Sequence, residues 1–150
     1  MNPQSTNPKN PQENFELRLR TLRVLWFALF MSIVLYFGLT LFLGPREETE
    51  SNQMVSLILI VMGLSTTLVS FVLKSKLLTH AVEQQLVPLV QQAYVVALAL
   101  CEAAALFGLL DFFLTGHRHY YILFIIAASG MLLHTPRREH VVNAWPKTQI

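Results

Sequence analysis

From Val24 to Leu43 the chain reads VLWFALFMSIVLYFGLTLFL, about 20 residues without a charge. A helix of that length is about 30 Å long, which matches the hydrocarbon core of a bilayer. Gly44-Pro45 closes the run, because proline cannot continue the backbone ladder. A second uncharged run, MVSLILIVMGLSTTLVSFVL, spans Met54 to Leu73 and stops at Lys74. A third, about Ala93 to Thr115, contains Glu102 and Asp111 and ends at Gly116. A fourth, about His119 to His134, is near the lower limit for a span and is stopped by Pro136. The first run is too long for the apolar core of a cleaved signal, and no A-x-A site follows it, so it reads as a retained span. The expected fold is an all-α membrane protein with four transmembrane helices at about 24–43, 54–73, 93–115 and 119–134.

Composition agrees with this reading. Of 150 residues, 53% are hydrophobic and 13% charged, which excludes a disordered chain. The lone cysteine, Cys101, excludes an intrachain disulfide framework and a multi-cysteine zinc site. The net charge of +2 says less than the placement of the charges. Lys9, Arg18, Arg20, Arg23, Lys74, Lys76, Arg137, Arg138 and Lys147 fall on one side of the four spans, and only Arg46 and Arg118 on the other. The positive-inside rule then places both termini in the cytoplasm and requires an even number of spans. Trp26 and Tyr94 near the inner ends, and Tyr120 and Tyr121 near an outer end, read as anchors at the headgroup boundary. The cell (inner) membrane is the expected location.

Outside the spans, residues 1–14 are rich in Asn, Pro and Gln and read as a disordered cytoplasmic arm, followed by a short basic helix from Phe15 to Arg23. Residues 15–136 form the membrane domain and 137–150 a cytoplasmic tail. The outer loop GPREETESNQ is acidic but lacks calcium-loop spacing, so it reads as solvated. In the inner connection, Leu77, Leu78, Ala81 and Val82 recur at helical spacing, which extends the second helix past the bilayer. Pro88 suits the first turn of the third helix. No glycine-rich phosphate loop occurs, and the basic residues flank spans rather than interleave with aromatics, so nucleic acid is not an expected partner.

The second and third helices each carry a face of small residues. On the second, Ser56, Gly63, Thr66, Thr67, Ser70 and Lys74 lie within about a third of the circumference; on the third, Ala93, Ala97, Cys101, Ala104, Ala105 and Gly108 do the same. Such faces let membrane helices approach closely, so these two form a tight antiparallel hairpin. Glu102 stands out near the middle of the third span. A charged carboxylate there costs at least about 2.5–3.5 kcal/mol on insertion scales, so it is protonated, paired or beside water. Matching depths makes Thr66 or Thr67 its expected hydrogen-bond donor. Asp111, half a turn round the helix and nearer the outer end, is expected to reach Arg118 or surface water. The five histidines read as interfacial and solvated, and no nucleophile–histidine–acid arrangement suggests catalysis.

The run Ala99-Leu100-Cys101-Glu102-Ala103-Ala104-Ala105-Leu106-Phe107-Gly108 resembles the ion-carrying helix of the rotary ATP synthase subunit c (proteolipid) family. On that likeness Glu102 matches the carboxylate that binds and releases a proton or sodium ion. The likeness covers about ten residues, and the partner helix offers only Gly63 where the family repeats glycines. The leading expectation is therefore a non-enzymatic accessory or structural membrane subunit, without a cofactor or metal, that associates through its helices as a homo-oligomer or in a membrane complex. The second is a proton- or ion-binding component with Glu102 as the titrating group. The third is a small transporter with Asp111 as outer gate.

Overall fold

The computed structural model describes residues 11–44, 53–116, 118–136 and 138–143, and these are helical with short connections and no strand. Helix α1 runs Pro11–Leu43, α2 Gln53–Glu83, α3 Val87–Thr115, α4 Tyr121–Leu133 and α5 Arg138–Asn143, with a 3-10 turn at Arg118–Tyr120 before α4. The first three are long and apolar enough to cross a membrane. With 29 to 33 residues each, they exceed a 30 Å hydrocarbon layer by roughly 15 Å. Helix α4, with 13 residues, is about 20 Å long and falls short of that thickness.

Consecutive helices run in opposite directions. Leu19 and Leu22 of α1, Ala81 of α2 and Val90 and Tyr94 of α3 pack in one cluster at the end of the bundle that carries most of the basic residues. Arg138 of α5 lies 3.8 Å from Glu16 of α1 at the same end. Helix α1 begins at Pro11, inside the stretch 1–14 expected as an arm; residues 1–10 lie outside the described ones, as do the acidic loop 45–52, His117, Arg137 and residues 144–150.

The second helix does continue past the apolar run, and the connection to α3 shrinks to a tight turn. Leu86 N–H donates to Ala81 C=O at 3.0 Å and Gln85 N–H to Val82 C=O at 3.3 Å, the bond pair of a Schellman cap. Gln85 holds φ 53°, a left-handed conformation that glycine usually supplies. Pro88 sits in the first turn of α3, where a missing N–H removes no intrahelical bond. Gly116, at φ 63°, ends α3.

The α2–α3 interface is the largest in the bundle, and Ala97, Cys101, Ala104, Ala105 and Ser70 are fully buried. The small faces also do something the hairpin reading omits: they admit α4. A Cβ on Gly63 would overlap the Leu123 side chain, and one on Gly108 would stand 3.0 Å from Leu123 Cβ. Leu123 thus fills a hollow that both glycines leave open. Gly130 of α4 returns the fit, since a Cβ there would stand 2.9 Å from Thr67 and 3.0 Å from Cys101 Sγ. Most of the large side chains on the outer surface are apolar, among them Leu35, Leu57, Leu68 and Ile125, as a lipid-facing surface requires.

Candidate functional site

Three polar centres are set into this apolar bundle, and α3 borders all of them. The middle one surrounds Glu102. Its Oε1 accepts a 2.6 Å hydrogen bond from Ser32 Oγ and a longer one, 3.4 Å, from Tyr36 Oη, both on α1. Ser32 and Tyr36 are four residues apart and so project from one side of their helix. Thr66 and Thr67, the expected donors, bond within α2 instead: Thr66 Oγ1 donates to Met62 and Gly63 carbonyls, and Thr67 Oγ1 to Gly63. The correction follows from angular position. Glu102 lies away from the small face that meets α2 and on the side that meets α1, as its hydrogen bonds to Ser32 and Tyr36 record.

The second centre is at Asp111, and here too the outcome differs from the expectation. Asp111 is fully buried rather than at the surface. Ser56 Oγ of α2 donates to its Oδ2 at 2.9 Å, and Thr115 Oγ1, one turn along α3, to its Oδ1 at 2.9 Å. The side chain of Arg118 lies outside the described ones. The half-turn between them around the axis of α3 has therefore sent the two carboxyls to different neighbours, Glu102 to α1 and Asp111 to α2.

The third centre lies at the basic end of the bundle. His134, which caps α4, is fully buried, not solvated. Its Nε2 is 2.8 Å from Ser70 Oγ and its Nδ1 3.4 Å from Lys74 Nζ. An ammonium can only donate, so Nδ1 accepts and the ring's proton sits on Nε2, directed at Ser70. Ser70 Oγ donates its own hydrogen bond to Thr67 C=O at 2.6 Å, and Cys101 Sγ approaches Ser70 Oγ at 3.7 Å. Lys74 Nζ also lies 4.3 Å from the centroid of the Tyr94 ring. Tyr94 has no exposed surface and is part of the core, not a boundary anchor. Trp26 ties α1 to α4 by donating its indole N–H to Met131 C=O at 2.8 Å.

This last group resembles a serine–histidine pair in composition but not in arrangement. The partner of Nδ1 is a cation rather than a carboxylate, and the serine proton is committed to the backbone. No group of three or more metal-ligating side chains occurs among the described residues. The sequence reading missed Ser32 and Tyr36, although a polar pair four apart in an otherwise apolar span was a visible signal. It also missed His134, whose place in the bundle depends on where α4 crosses. Comparison of the chain with protein-family models, with curated proteins and with solved structures finds no match.

Proposed function

We propose that this chain is a non-enzymatic multi-pass membrane protein that serves as an accessory or structural subunit, with its polar groups pinning its own helices together. One observation carries the reading: every buried polar side-chain atom among the described residues has a hydrogen-bond partner within the protein. Polar groups in a membrane bundle that are all paired act as fastenings, each contributing about 0.6 to 2 kcal/mol. A supporting observation is the apolar layer between the centres. Leu59, Gly63, Ala104 and Leu123 separate the Asp111–Ser56 contact from Ser70 and His134. Ser56 and Ser70 are roughly 21 Å apart along α2; on the buried face Leu59 and Gly63 follow Ser56, and the hydroxyl of Thr67, next before Ser70, is tied to Gly63 C=O within the helix.

In this reading the helices cross the bilayer with both termini in the cytoplasm, as the basic residues favour. Helix α4 joins the 3-10 turn before it to complete the fourth crossing, and its short length is offset by its burial against α2 and α3. The location is the cell membrane.

A second reading, favoured by the two hydroxyls gathered on Glu102 Oε1, makes Glu102 a proton- or ion-binding group. One experiment separates the two. The protein is reconstituted in vesicles carrying a proton or sodium gradient, and the decay of the gradient is followed. The subunit reading predicts the decay of empty vesicles. A faster decay that Glu102→Gln abolishes overturns it in favour of ion handling.

A further inference from the structure

Helix α3 has one face that no described helix packs across. Val95, Ala99, Glu102, Ala103, Leu106 and Leu110 fall within an arc of about 100°. Ala99 is exposed, Val95, Leu106 and Leu110 are 39%, 42% and 45% exposed, and Glu102 and Ala103 are half-buried. This arc is opposite the face that packs on α2. Glu102 lies at its margin, one side against α1 and the other open. Both hydrogen bonds to Glu102 end on Oε1, and no described residue bonds Oε2. A carboxyl oxygen turned toward hydrocarbon at mid-span without a partner is costly. Ala99 and Ala103, four residues apart on the same face, leave room for another backbone to approach closely.

We propose that this face is where two copies of the chain pair, α3 against α3, about a two-fold axis along the membrane normal. The proposal rests on the reading of the chain as a membrane-spanning subunit. Copies inserted with the same orientation carry Glu102 at the same depth, and a two-fold contact sets each residue near its own counterpart. The Oε2 atoms then meet across the axis, one carrying a proton and donating, the other accepting. A partner of any other kind would have to supply a polar group at that depth; a second copy supplies it by symmetry. The alanines set the approach distance, and Leu106 and Val95 pack on either side of the carboxyl pair.

The test is oxidative cross-linking of single added cysteines in native membranes. Fully buried Cys101 serves as the unreactive reference. Leu106→Cys gives a disulfide-linked species of twice the 17.1 kDa chain mass. Leu68→Cys, 58% exposed on α2, gives none. Glu102→Leu lowers the Leu106→Cys product roughly three- to tenfold, the loss expected for one intramembrane hydrogen bond, whereas Glu102→Gln retains it. Equal cross-linking at positions 68 and 106, a product of another mass, or indifference to Glu102→Leu overturns the pairing. Alkaline extraction of the same membranes keeps the two failures apart: a chain that stays with the lipid but does not cross-link refutes the pairing alone, and one that is released refutes the membrane reading itself.

Discussion

Asp111 and Glu102 are nine residues apart on one helix, carry the same functional group and receive two hydroxyl hydrogen bonds each, yet the fold treats them oppositely. Asp111 is sealed, with one donor on each of its oxygens from α2 and α3. Glu102 is half-open, with both donors from α1 on a single oxygen. The difference shows what a carboxyl can do in a bundle. Satisfied on both oxygens it closes an interface, and satisfied on one it presents the other to whatever lies outside. Their surroundings differ in kind as well. The α2–α3 seam around Asp111 is extensive, while α1 meets α3 and α4 more sparsely.

The comparison can be broken at several points. Asp111→Ala has the largest expected effect, because it strands the buried Ser56 hydroxyl and empties a sealed site, although Thr115 keeps its bond to the carbonyl of residue 111; unfolding in mixed micelles should reveal a loss of about 2 kcal/mol. Ser56→Ala removes one donor and leaves one oxygen of Asp111 unmet, for a loss of about 1 kcal/mol in the same assay. Ser32→Ala is expected to cost about 0.6 kcal/mol, the average for a hydrogen bond between membrane helices, since the open side of Glu102 allows relaxation. Should Ser32→Ala prove more damaging than Ser56→Ala, the contrast between the two seams fails. Gln85→Gly provides a control outside both: it relieves a left-handed non-glycine residue and should stabilise the fold by up to about 1 kcal/mol.

How much of this the sequence disclosed depends on the range of the interaction. Long apolar runs, the helical continuation past Lys74, the role of Pro88 and the small faces are local or periodic properties, and each has its counterpart in the fold. Partners of polar groups are not local. Ser32 lies 70 residues from Glu102, and Ser70 lies 64 from His134. Matching depth alone pointed to Thr66 and Thr67, which stand at a similar level but on a helix that Glu102 does not face. Tyr94 and His134 read as boundary residues because their positions along the spans suit the headgroups. The burial of Tyr94 follows from α1 and α2 extending beyond the apolar runs and packing over it, as the cluster of Leu19, Leu22 and Ala81 records, and that of His134 from its seat against Ser70, Phe71 and Lys74 of α2. Asp111 was assigned to the surface because it is near a helix end; the serine that seals it sits near the start of a different helix.

The most direct measurement compares the two carboxyls chemically. The protein, diluted into excess lipid so that copies are apart, is treated with a lipid-soluble carbodiimide, and modified residues are located by mass spectrometry. A membrane bundle arranged as described predicts modification at Glu102, which opens to the acyl chains, and none at Asp111. Modification of Asp111 at the rate of Glu102, or a Glu102 that reacts only with water-soluble reagents, would contradict it.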